Sequence, residues 1–193
     1  MTDLLFLVLM SFVTIFLIMD PFPSLITFLR YTKNHSDKER RACATRAVLI
    51  AGLIAILFLF LGQILLDLMQ ITLSDFKIAG GIVIALLGIE TVLGINLGNQ
   101  AKSNLNDLAV LIATPLLTGP GVVTSIIVLS RDNGILTTLI ALLLALFVCW
   151  VLFIYSISIR KAAGEQKIEI ISRVVGLLLV ALGVSFVKQG LIG

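Results

Sequence analysis

A carboxylate, two prolines and a hydroxyl stand together in Asp20-Pro21-Phe22-Pro23-Ser24, inside an otherwise apolar run from Leu4 to Leu29. A second cluster of similar character is Thr114-Pro115-Leu116-Leu117-Thr118-Gly119-Pro120-Gly121, followed by Thr124 and Ser125. Proline has no N–H to donate and biases the preceding residue away from helix, so each cluster releases backbone carbonyls and amides. In hydrocarbon such groups are costly unless they face protein or a water-filled cavity. Gly119 and Gly121 permit unwound backbone with positive φ, Pro120 suits the first turn of a new helix, and Thr118 is placed to cap it. Amides at such a half-helix start, with the positive end of its dipole, suit a carboxylate. Carbonyls released by Pro21, Pro23, Pro115 and Pro120, aided by Asp20, suit an ammonium. A lone proline would read as a repaired kink; two prolines, an aspartate and a matching break elsewhere do not.

The elements that carry these clusters are membrane helices. Of 193 residues, 59% are hydrophobic and 13% charged, and the mean hydropathy is +1.15. Soluble domains carry roughly twice that share of charge. Six apolar runs follow one another: Leu4–Leu29, Ala47–Leu66, Ile78–Leu97, Leu108–Ser130, Ile135–Ile159 and Ile168–Ile192. Each has at least the roughly 20 residues that a helix needs to cross the hydrocarbon layer. The expected fold is all-α, with six transmembrane helices in one domain spanning residues 1–193. The first run has no basic leader and no small-x-small cleavage site, so it is read as retained in the mature chain.

A shift of 95 residues lays Gly81 on Gly176, Gly88 on Gly183, and Asp20 on Pro115. Two halves result, about 1–98 and 99–193, each of three helices. An odd number makes the second half enter from the opposite side, an inverted 3+3 repeat with helices 1 and 4 discontinuous. That pattern marks secondary transporters with a site near the bilayer midplane. Ten Lys and Arg flank the ends of helices 1, 3 and 5 on one side against three on the other. The positive-inside rule then puts both termini outside the cytoplasm, in a multi-pass protein of the cell membrane.

The basic residues therefore report orientation, and a nucleic-acid partner is not expected. Glycines at seven-residue spacing in helices 3 and 6 read as packing seams. Glu90, well inside helix 3, is an intramembrane charge and reads either as a functional candidate or as a side chain that snorkels toward the outlet of the helix. Glu169 and Arg173 have the spacing of a helical ion pair. Cys43 and Cys149 have no CxxC spacing, and one histidine with no HExxH argues against a metal site; no catalytic set, cofactor or metal is expected. Gly94 and Gly98 form a GxxxG that permits a homo-oligomer.

Four segments in order resemble the MarC/SnatA family of small six-helix membrane proteins: Asp20-Pro21, Phe76-Lys77-Ile78-Ala79-Gly80-Gly81, Pro115 through Gly121, and Glu169-x-x-x-Arg173-x-x-Gly176. The family usually continues its first motif as DP-x-G-N-x-P, and Pro23 and Ser24 replace the Gly and Asn here. The resemblance implies transport of small neutral amino acids such as glycine or alanine, in the lipid bilayer. The expected substrate-binding residues are Asp20, Pro21, Pro23, Ser24, Thr114, Pro115, Thr118, Gly119, Pro120, Gly121, Thr124 and Ser125. No GxxxxGK[ST] loop is present, so a gradient would supply energy. Asp20 or Glu90 could carry a coupling proton if burial favours the neutral carboxyl. A passive channel or exporter for other small solutes, or a non-transporting scaffold, are the alternatives.

Overall fold

Pro21 and Pro23 decide how the first apolar run is divided. The computed structural model of the chain describes residues 2–94, 109–110, 113 and 117–192, and every regular element among them is helical. Helix α1 (Thr2–Met19) stops two residues before Pro21, whose missing N–H cannot reach Leu17, and α2 (Pro21–Tyr31) opens with both prolines in its first turn. Asp20 lies between them with φ 37° and ψ 67°. Its amide takes the Leu17 carbonyl instead, at 3.0 Å. A left-handed residue bearing a side chain costs about 1–2 kcal/mol. The two helix axes differ by 42° across this residue.

Helix α3 (Asp37–Leu68) begins well before the predicted Ala47, because Ser36 and Glu39 cap it reciprocally and its charged first turn projects beyond the apolar stretch. Thr72 and Asp75 do the same for α4 (Leu73–Leu93), which starts before the predicted Ile78 and ends on Gly94, where φ is 67°. The predicted end, Leu97, lies outside the described residues, as do Gly98 and the GxxxG it would complete. The second half contains α5 (Pro120–Asn133), α6 (Ile135–Ile154), α7 (Ser156–Ala163) and α8 (Glu165–Ile192). The run expected from Ile135 to Ile159 is thus divided at Tyr155, with no proline or glycine to announce the division.

Helices α3, α4, α6 and α8 are long and apolar enough to cross a membrane, and α1 with α2 makes a fifth span if the bent pair is counted as one. The six expected spans are therefore met as four or five. The remaining run, Leu108–Ser130, falls partly outside the described residues; its described end is α5, whose 14 residues are too few to span alone. Leu5, Leu53, Leu86, Leu136 and Leu177 are exposed, as lipid-facing side chains are. Buried faces are built of small residues, with Ala44, Ala47, Ala51 and Ala55 on α3 and Ala141 and Ala145 on α6 in the same core.

The most extensive packing is between α4 and α8. A Cβ on Gly81 would lie 2.6 Å from the Gly183 carbonyl oxygen, and one on Gly88 2.7 Å from that of Gly176. Gly190 meets the Ser74 carbonyl at 2.6 Å in the same way. One partner's number rises as the other's falls, so the helices run antiparallel with their backbones in contact. The glycines are required by this approach, as the seam reading expected.

The far end of α5 is tied to three first-half helices. Gln63 Nε2 on α3 donates to Ser130 Oγ at 3.2 Å, Lys77 Nζ on α4 to Asp132 Oδ2 at 2.9 Å, and Asn133 Nδ2 to Ser11 Oγ on α1 at 3.1 Å. The Lys77 side chain is 14% exposed and that of Asp132 41%, so water partly screens the pair. Reversing either charge is expected to cost about 0.5–1 kcal/mol, and Lys77→Asp combined with Asp132→Lys should recover most of it. Thermal unfolding in detergent measures both.

Candidate functional site

Two helix N-termini, those of α2 and α5, converge on one stretch of α4. The Asp20 carboxylate does not cap its own helix; Oδ2 accepts from Thr91 Oγ1 at 3.0 Å. Oδ1 has no hydrogen-bond partner among the described residues. One turn along α2, Ser24 is only 1% exposed and its hydroxyl has no partner among the described residues. Pro21 and Pro23 contribute no N–H, so this tip is poor in amides and rich in oxygen: the carboxylate, the hydroxyl, and the Met19 carbonyl that residue 23 cannot serve.

The tip of α5 has the opposite character. Gly119 precedes its first turn with φ −64° and ψ 172°, and Pro120 occupies the first helical position. The amides of Val122 and Val123 both use the Gly119 carbonyl, at 3.0 and 3.2 Å. No acidic side chain lies in its first turn. The helix start expected at Pro120 is therefore present. Its glycines differ from the expectation of positive φ: Gly119 is extended, and Gly121 is helical. Gly121 is needed for space, since a Cβ there would stand 3.0 Å from Ile84 Cγ1, 3.2 Å from Ile18 Cγ2 and 3.4 Å from Leu87 Cδ1.

Thr118 also departs from its expected role as the cap. Gly119 holds that position, and the Thr118 hydroxyl donates across to the Ala51 carbonyl on α3 at 3.2 Å, while its amide reaches back to Ala113 at 2.9 Å. Thr118→Val is expected to cost about 1 kcal/mol of stability, as the loss of one buried hydrogen bond, read in the same unfolding assay.

Gly121 at the α5 tip stands against Ile18 near the end of α1 and against Ile84 and Leu87 on α4, one turn from Thr91, whose hydroxyl reaches Asp20. The structure does not bring Thr124 and Ser125 to the tips. Thr124 Oγ1 is used by the Pro120 carbonyl at 2.8 Å and its methyl group is pressed on Gly80; Ser125 Oγ is used by Val122 at 2.8 Å and is fully buried. Thr114 and Pro115 lie outside the described residues. Glu90 is in the last turn of α4, half-buried, and not deep within a longer helix as expected. Glu169 and Arg173 pair as expected, at 2.8 Å, on a half-exposed surface. Thr91 was not foreseen.

The description MarC family integral membrane protein matches residues 5–193. The chain belongs to the MarC family. Relatives of this MarC chain include the membrane protein MJ1677 of Methanocaldococcus jannaschii, 30% identical with 95% of each chain covered. A membrane protein of Archaeoglobus fulgidus is 33% identical over 94% of this chain and 90% of its own. The inner membrane protein YhgN of Escherichia coli K12 is 31% identical over 93% of each. These names describe membrane proteins and specify no substrate. No solved structure matches the chain. The MarC chain described here is accordingly an integral membrane protein with several apolar helices.

Proposed function

We propose that this chain is a secondary transporter of small neutral amino acids, of the glycine and alanine class, rather than an enzyme. One observation carries the reading: an oxygen-rich, acid-bearing helix tip and an amide-bearing tip without acid meet the same two turns of α4, Ile84 to Thr91. A zwitterion has the complementary charges. Its carboxylate suits the Gly119 and Gly121 amides, and its ammonium suits Asp20, the Ser24 hydroxyl and the Met19 carbonyl. The tight surroundings of Gly121 favour a substrate with a small side chain.

The α4–α8 seam supports the inverted repeat behind alternating access. Moving 95 residues along carries the Gly81–Gly183 contact onto Gly176–Gly88, and the Gly81–Val187 contact onto Gly176–Val92. A pseudo-two-fold axis through the seam has that effect. In this arrangement α1 with α2 is one discontinuous span, the segment ending in α5 is its counterpart, and both termini lie outside the cytoplasm. Asp20 is the first candidate to carry a coupling proton and Glu90 the second.

Uptake of labelled glycine and alanine into proteoliposomes tests the reading. Accumulation above the imposed substrate gradient, when a proton gradient is applied, is the expected result. Flux that never exceeds the substrate gradient would point to a passive channel. No uptake of either, and no competition by other amino acids, would remove the substrate class.

A further inference from the structure

We infer that Thr91 is the positioning residue of this site, an exchangeable latch between the Asp20 carboxylate and the α4–α8 seam. The inference rests on the transporter reading for its purpose, but not for its geometry. Thr91 Oγ1 stands 3.0 Å from Asp20 Oδ2 and 2.9 Å from the Leu87 carbonyl oxygen. A hydroxyl has one hydrogen, so it serves one of these acceptors at a time.

The two acceptors are unequal in need. Thr91 loses little when Asp20 lets go, because a helical threonine is satisfied by the carbonyl four residues back. Asp20 has no such alternative among the described residues. It sits in a left-handed conformation, its side chain makes no cap bond to its own helix, and it has Thr91 as its single side-chain partner among the described residues. When a cationic group reaches the carboxylate, the Thr91 hydrogen can return to Leu87 without leaving a donor stranded. The latch then opens without a buried polar group losing its bond.

Thr91 is itself fixed from behind. A Cβ on Gly176 would come within 3.0 Å of Thr91 Cβ, so α8 packs directly on this residue. Its position is set where the two glycine helices cross, and Asp20 is held against that crossing from α1 and α2. Occupation of the break is thereby linked to the contact across which the two halves meet.

The test uses the full chain in proteoliposomes, with wild type, Thr91→Val, Thr91→Ser and Thr91→Ala. The first readout needs no substrate: the rate at which the carboxyl reagent dicyclohexylcarbodiimide modifies Asp20, followed by peptide mass spectrometry with Asp20→Asn as the blank. Thr91→Val and Thr91→Ala are expected to raise that rate about tenfold, and Thr91→Ser to restore it. The second readout is the KM for glycine, expected to rise about tenfold in Thr91→Val with maximal velocity little changed and Thr91→Ser near wild type. Equal labelling in all four folded proteins overturns the inference, and so does Thr91→Ser behaving as Thr91→Val. If glycine flux is missing while labelling still follows the hydroxyl, the positioning role stands and the substrate reading falls.

Discussion

Asp20→Asn is expected to lower glycine accumulation driven by a proton gradient at least about tenfold, leaving the protein folded. The substitution is nearly isosteric and retains an oxygen for Thr91, so the geometry of the break survives. What it removes is charge. The ammonium of the proposed substrate would lose the Asp20 carboxylate, and charge-assisted hydrogen bonds are worth roughly 1.5–3 kcal/mol each, or tenfold and more in binding. The same change removes a group able to carry a proton. Vesicles with and without an imposed proton gradient separate the effects: a variant that binds weakly still responds to the gradient, whereas one without its coupling group does not. An unchanged gradient response would dismiss Asp20 as the coupling residue, and attention would pass to Glu90, which neighbours Thr91 in the sequence.

Gly88→Leu is expected to be the most damaging change to the fold itself, at about 3 kcal/mol or more. The first added carbon would stand 2.7 Å from the Gly176 carbonyl oxygen, 2.7 Å from the Val180 amide nitrogen and 2.8 Å from Val180 Cγ2. Two of these atoms are backbone and cannot turn aside as a flexible side chain does. The helices must separate along the seam, losing the contacts at Gly81 and Gly183 as well. At Gly52, by contrast, the nearest atom to an added carbon is the end of Leu146 at 3.1 Å, so Gly52→Ala serves as a mild control. Unfolding temperature and recovery from detergent extraction compare the pair; similar losses in both would contradict the close-approach account.

Much of this was readable beforehand, and the reasons are local. Pro21 and Pro23 act within one turn of themselves, so the division at Asp20 follows from chemistry that needs no tertiary partner. Glycines repeating every seven residues announce a close helix contact, although not that α4 and α8 would be partners. Helix ends were placed less well. Ser36 with Glu39, and Thr72 with Asp75, are caps written in the sequence, but hydropathy alone marks only the apolar interior of a helix and stops short of them.

What escaped notice was determined from a distance. Thr91 is one threonine in an apolar helix, and its importance comes from Asp20, 71 positions earlier. The sequence around Gly121 suggests backbone freedom, whereas the residue is small because Ile18 and Ile84 occupy the space. Spacing places Thr118 at the nearest helix start, yet its hydroxyl donates to the Ala51 carbonyl. Each is a contact between segments remote in sequence, to which propensity and spacing are blind.

The three bonds from Ser130, Asp132 and Asn133 to α3, α4 and α1 give the molecule a bias of definite size. Interhelical hydrogen bonds within membranes average about 0.6 kcal/mol, so the set holds that end of α5 against the first half by roughly 2 kcal/mol. Set against an arrangement without these bonds, that would be a preference of about thirtyfold. A ligand whose affinity differs between the two arrangements by a somewhat larger factor would reverse the preference, and one without such a difference would not. α5 is then a rod fastened at one rim, and under the proposed transport function the strength of that fastening would set how selective a molecule must be to release it.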